Sequence, residues 1–146
     1  MVNYTSHTII PDLKLIITNF QGTISMKDVI QLNLLFIADK SFDSSFDLLM
    51  DFRDSTALAF KIDIADFFDF FKTNVVLKKR IRSGILYSTL NQKFLISVYK
   101  PTASLMKIDT MGFQEINECL DWMQYSETDQ IKIKEALQSI KNKSAE

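Results

Sequence analysis

Phe46-Asp47-Leu48-Leu49-Met50-Asp51-Phe52-Arg53-Asp54 opens on an apolar run too short for a helix and closes on acidic and basic residues. An apolar run of that length is the signature of a central strand covered on both faces, because neither set of its side chains needs to meet water. Amphipathic helical patterns lie on either side of it. Upstream, Met26, Val29, Ile30, Leu34 and Ile37 recur at intervals of three and four, which predicts a helix packed on a sheet with Lys27, Gln31 and Asn33 turned outward. Ser25, with Asp28 three residues on, predicts the cap that opens that helix. Residues 39 to 45 form its exit loop. Downstream, after a connector, residues 62 to 72 place Ile64, Phe67, Phe68 and Phe71 on a broad aromatic face with Asp63, Asp66 and Asp69 interleaved.

Further out, Tyr4 to Ile10 and Leu13 to Phe20 are β-rich runs separated by Pro11-Asp12. Proline fixes its own φ and disfavours helix just before it, so the pair predicts a hairpin. Gln21-Gly22-Thr23 then ends the second run. On the other side come a strand from Ser83 to Tyr87 and a helix from Asn91 to about Tyr99, ended by Pro101. A short strand from Leu105 to Ile108 follows. Gly112 precedes a helix from Phe113 to Met123, with Phe113, Ile116, Leu120 and Met123 on one side. Residues 129 to 143 predict a tail helix striped by Ile133, Ala136, Leu137 and Ile140. Strands alternating with helices predict an α/β fold: a small, open, mainly parallel sheet with an N-terminal antiparallel hairpin, helices packed on it and an extra C-terminal helix. Residues 4–123 form one domain, and 124–146 a helical tail.

The chain has 146 residues, 47% of them hydrophobic, which suits one core. Lys and Arg total 17 against 18 for Asp and Glu, so no overall field points to nucleic acid or an anionic bilayer, and any binding patch must be local. The single cysteine, Cys119, excludes an internal disulfide and favours a reducing compartment. The start, Met1 to Ser6, lacks the basic region and apolar run of a secretion signal. No segment approaches the roughly 18 apolar residues of a membrane span. A cytoplasmic protein is expected.

The initial hairpin, Gly22-Thr23-Ile24-Ser25 opening a helix, the Phe46-to-Asp54 strand, the Arg82-to-Tyr87 strand, and Phe113 leading to Leu120-Asp121-Trp122-Met123 together resemble the STAS/SpoIIAA-like family. That family shares the fold of anti-anti-sigma factors and of the cytosolic domains of sulfate transporters. The resemblance covers about residues 4 to 123 and implies a non-enzymatic domain that binds a protein partner, in some members through a phosphorylatable serine at the start of the helix after the central strand. This chain departs there, having Ala59 and Phe60 about eight residues beyond Asp51. The nearest hydroxyls, Ser55 and Thr56, come too early, in an Asp54-Ser55-Thr56 segment that suits a turn bonded to its own backbone. A phosphoserine switch is not expected.

In open α/β sheets ligands sit beyond the carboxyl ends of the strands, which makes Asp51, Arg53, Asp54, Ser88 and Thr89 candidates for binding a ligand or partner if their strands are parallel neighbours. The competing reading has Asp51 and Asp54 cap turns and pair with Arg53 or Arg82, as ion pairs at strand ends commonly do. Phe70 is a further candidate. Four aromatics in Phe67-Phe68-Asp69-Phe70-Phe71 cannot all face one sheet, and Phe70 is expected outward, toward a second subunit, the tail or a lipid-like ligand. In the tail, Ile133, Leu137 and Ile140 need cover from their own domain or from a neighbouring chain, which makes them candidates for an oligomer contact in a homodimer.

His7 stands alone, without partners at metal-ligand spacing, and no cofactor motif occurs. Cys119 falls inside a helical pattern where a buried, inert thiol is the usual state. Trp122 closes the core. Lys78-Lys79-Arg80 with Arg82 is a solvated basic run that discourages edge pairing. These residues leave three function classes. The first is a non-enzymatic module for an unknown protein partner, acting through helix surfaces. The second is a carrier of a small apolar or lipid-like molecule, which 12 Phe and 6 Met would serve, and which a cavity between the sheet and the Phe-rich helix would support. The third is an enzyme using the carboxylates at the sheet mouth, although carboxylates without a cofactor or metal set specify no reaction.

Overall fold

Strands Tyr4–Ile10 (β1), Leu15–Ser25 (β2), Asp47–Leu58 (β3), Ile81–Leu86 (β4) and Ile108–Phe113 (β5) form a single sheet in that spatial order. β1 runs antiparallel to β2, and β2, β3, β4 and β5 pair in parallel. In this computed structural model residues 3–58 and 61–143 are described. Ala59 and Phe60, the positions without a phosphorylatable hydroxyl, lie outside them, as do residues 144–146 of the tail. The helices are Met26–Ile37 (α1), Lys61–Asn74 (α2), Leu90–Leu105 (α3), Ile116–Trp122 (α4) and Glu127–Asn142 (α5). The mixed α/β architecture expected from the alternation is what the chain adopts, with β3 at the centre of the sheet.

Side chains alternate across the strands with a period of two, so each strand feeds two cores. Ile16, Phe20, Ile24, Leu48 and Met50 face α1, α2 and α3. Leu15, Ile17 and Leu49 face α4 and α5, where Cys119, Leu120, Met123, Ile133, Leu137 and Ile140 meet them. Gly84 lets α4 approach β4 closely, since a Cβ there would lie 2.5 Å from the Cys119 sulfur. Pro11–Leu13 forms the 3₁₀ turn of the hairpin, with Lys14 left-handed behind it. The predicted cap of α1 is a full capping box: Ser25 Oγ accepts from the Asp28 amide, and the Asp28 carboxylate accepts from the Ser25 amide.

Several boundaries differ from the sequence reading, each for a tertiary reason. Gln21-Gly22-Thr23 does not end the second strand. β2 slips register between Asn19 and Gln21, Gly22 takes φ 86°, and the strand continues beside β3 to Ser25. β3 correspondingly runs on to Leu58, through what reads as a connector. In α1, Asn33 is buried and Leu34 exposed, the reverse of the expected phase; the Asn33 amide donates to the Val29 carbonyl, which satisfies it inside the core. α3 continues past Pro101, whose missing N–H falls on the exposed side of the helix together with Ser97, the residue four before it. The last strand therefore starts at Ile108 and not at Leu105.

Two further expectations are corrected. Phe70 is half-buried, its ring 6.5 Å from that of Phe67, because α2 lies between α1 and α3 and is covered from both sides. Ile133, Leu137 and Ile140 are not available as oligomer contacts. They are buried in the chain's own second core, because α5 packs over β1 and β2.

Candidate functional site

Asp51 and Arg53 sit two residues apart on β3, so their side chains leave the same face of the sheet. The Asp51 carboxylate is fully buried. Its Oδ1 accepts from the Arg53 amide and Nε at 3.0 Å each, and its Oδ2 accepts from Arg53 Nη2 at 2.9 Å. Lys141, from the far end of α5, brings Nζ to 2.7 Å from the same Oδ2 and to 3.2 Å from Asp54 Oδ2. Burial by itself would raise the Asp51 carboxyl, but the hydrogen bonds from Arg53 and Lys141 outweigh it and hold the group below the usual carboxylate range. Its hydrogen bonds to Asp51 in turn raise the Arg53 guanidinium.

β3 and β4 are parallel neighbours, so Ser88 arrives where the sequence places it, its Oγ donating to the Arg53 carbonyl at 2.8 Å. Thr89 is the N-cap of α3, in a second capping box with Gln92. Asp51, Arg53, Asp54 and Ser88 are thus brought together, Thr89 lies next to them, and Phe70 is on α2 in the other core. The pairing of Asp51 with Arg53 is the competing reading made real. Arg82 is engaged elsewhere, its amide donating to Asp47 and its Nη1 to the Met123 carbonyl. Ser55 is buried within β3, its hydroxyl donated to the Phe52 carbonyl. The mouth is a closed ionic latch between the central strand and the tail helix, with its carboxylates committed to internal cations.

Two residues of this region were missed from sequence. Lys141 reads as one of several solvated tail lysines, and only the docking of α5 distinguishes it. Gln92 reads as an ordinary helix residue. Its Nε2 donates to the Phe52 and Ser55 carbonyls, and its Oε1 accepts from the Ser88 and Thr89 amides, so one side chain stitches the end of β3 to the start of α3.

Beside this stitch, on the opposite face of the sheet from Asp51, a cavity of about 90 Å³ opens under α1, α2 and α3 at the carboxyl ends of β2, β3 and β4. Val29, Met50, Phe52, Phe67, Leu95 and Ile96 are among the residues of its wall. Ser25 and Gln92 are its polar side chains apart from the tyrosines, and both are spent on caps and backbone carbonyls. Among the described residues no charged side chain lines it. The space at these strand ends is apolar and belongs to residues from six elements and a loop.

Elsewhere, His7 Nε2 lies 3.2 Å from Asp39 Oδ2. Burial pushes the Cys119 thiol up to about 12. Among the described residues no group of three or more His, Cys, Asp or Glu side chains could hold a metal ion, and no helix is long and apolar enough to cross a membrane.

No family model matches the sequence, and none of the curated proteins matches it. Among solved structures, the chain is similar to an uncharacterised protein of the DUF3478 family from Shewanella loihica PV-4, described as having a SpoIIAA-like fold. The two are 15% identical, with a TM-score of 0.57, over 84% of this chain and 95% of that one. A likeness at this identity speaks to the fold alone. Together with the five-stranded sheet and its antiparallel first pair, it shows that this chain has the SpoIIAA-like fold.

Proposed function

We propose that this chain is a non-enzymatic binding module of the SpoIIAA-like type whose ligand is a small apolar molecule held between the sheet and helices α1, α2 and α3. One observation carries the reading: the cavity of about 90 Å³ at the strand ends, with a mainly apolar wall whose Ser25 and Gln92 side chains are already hydrogen-bonded. A void that size in a well-packed interior forfeits dispersion contacts along its whole lining, and an apolar occupant restores them. Cavities with apolar walls stay dry and take up hydrocarbons. A polar ligand would find Ser25 and Gln92 already committed and little else to replace its water.

The ionic cluster at the mouth supports the same division of labour. Asp51, Arg53 and Lys141 satisfy one another, so they fasten α5 to the sheet, while the apolar side of the strand ends does the binding. The test is titration of 1-aminoanthracene, an apolar fluorophore, into the wild type and into Val29→Phe, which adds a ring to the cavity wall without deleting a core contact. Saturable binding by the wild type and its loss in Val29→Phe, with unchanged circular dichroism, is the expected result. Equal binding by both proteins would refute the assignment, and Leu95→Trp repeats the test from the opposite wall.

A further inference from the structure

Helix α3 turns its inner side to the cavity and carries a second apolar face on its outer side. Leu90 is 84% exposed, Phe94 62% and Leu105 88%, and Pro101 is exposed with them. At 3.6 residues per turn these four fall within an arc of about 60°, opposite the buried Gln92, Tyr99 and Ala103. The stripe has a charged border on one flank only. Lys93 and Lys100 lie along it and Lys107 just beyond the helix, all exposed, and no carboxylate occurs between Leu90 and Lys107. Lys100 leans toward Met111 on β5, so the basic flank faces the edge strand. α2, with exposed Asp66 and Asp69, lies on the other flank.

We infer that α3 docks this protein on an anionic lipid surface, with Leu90, Phe94 and Leu105 entering the headgroup boundary and the lysines over the negative charge. The charge pattern selects the occupant. A helix bearing two cations, with a third just past its end, no anions and a row of Leu and Phe has the composition of an interfacial helix. Its shape agrees, because a single convex ridge of side chains seats itself in a medium that yields, whereas a protein partner would have to supply a matching groove. The one-sided border sets the orientation: the molecule rolls toward β5, which brings the lysines down and lifts Asp66 and Asp69 away. Docked so, the wall between the cavity and the bilayer is α3 itself, which places an apolar binding space one helix away from a hydrocarbon source. The docking surface does not depend on the cavity being a ligand site, since the stripe and the lining are opposite sides of the helix.

The test is cosedimentation with vesicles of phosphatidylcholine, with and without added phosphatidylserine. The wild type is expected to bind the mixed vesicles, more weakly as salt is raised, and to leave pure phosphatidylcholine in the supernatant. At about fivefold in affinity per lysine near such a surface, Lys93→Gln with Lys100→Gln, which removes two positive charges, should weaken binding about thirtyfold. Phe94→Ser with Leu105→Ser should weaken it about tenfold or more. All four positions are exposed, so circular dichroism should be unaltered in both variants. Absence of binding to the mixed vesicles, or equal binding by the variants, would overturn the inference. So would a dimer mass in light scattering that Phe94→Ser halves, which would make a second copy the occupant. Val29→Phe separates the two proposals: vesicle binding unchanged in that variant leaves the docking surface standing whatever becomes of the cavity, and vesicle binding lost with the cavity filled overturns it.

Discussion

Lys141→Met should destabilise this protein far more than the loss of an ordinary tail lysine. The substitution keeps the apolar stem and removes the ammonium, which lies 2.7 Å from the buried Asp51 carboxylate and 3.2 Å from the exposed Asp54 carboxylate. Breaking a buried ion pair by deleting one partner costs about 3–5 kcal/mol, because the other charge is left without compensation. Here Arg53 still donates two side-chain bonds to Asp51, and Lys141 keeps 16% of its side chain in water, so the expected loss is about 2 kcal/mol. Urea unfolding should show it as a midpoint lowered by about 1 M at an unchanged slope. Asp54→Asn should cost less than about 0.5 kcal/mol, since that carboxylate is largely solvated. Acid provides an independent check. A carboxyl held below its ordinary value by the fold contributes stability above the unfolded pKa, and that contribution is lost as pH falls through the folded value. The gap between wild type and Lys141→Met should therefore be constant above about pH 5 and close as the medium becomes more acidic than about pH 4. A midpoint within about 0.2 M of wild type, or a gap that persists in acid, would show that α5 is not latched through Asp51.

Other perturbations probe the two cores. Ile133→Lys buries an unpaired charge where the side chain is wholly enclosed, so the chain should fail to fold cooperatively instead of shifting between dimer and monomer; a folded variant with wild-type melting would contradict the packing of α5. Gly84→Ala pushes a methyl against the Cys119 sulfur and should cost about 1–3 kcal/mol, and Cys119→Ala in the same chain should recover much of that loss; purely additive effects would refute the contact. Native Cys119 should resist an aromatic disulfide reagent at neutral pH until the chain unfolds, because the thiol is buried and held up to about 12, and prompt labelling would contradict its placement.

What was legible in the sequence was what neighbouring residues decide between themselves. Ser25 and Asp28 form their capping box within one helical turn, Pro11 sets the hairpin, and the apolar run from Leu48 to Met50 needs cover on both sides wherever it lies. The errors arose where distant segments overrule local preference. Gly22 is a breaker by propensity, yet β2 continues because β3 lies alongside it to satisfy its backbone. Pro101 ends a helix on average, but here the lost bond falls on the solvent side. Asn33 is polar by type and core by position, because it bonds its own helix. The same division holds for the site. Asp51 and Arg53 could be read together because they are two residues apart, while Lys141 joins them from the end of the chain. A cavity assembled from Val29, Met50, Phe67 and Ile96 has no motif at all, only a surplus of Phe and Met whose arrangement the sheet and helices decide.

The central claim is that the space beneath α1, α2 and α3 is a dry, apolar binding cavity. Crystals pressurised with xenon test it directly, since xenon enters apolar voids without needing a hydrogen bond. An ordered xenon atom in contact with Val29, Met50, Phe67 and Ile96 is the predicted result; a cavity closed by its own side chains, or filled by hydrogen-bonded water that xenon does not displace, would contradict it.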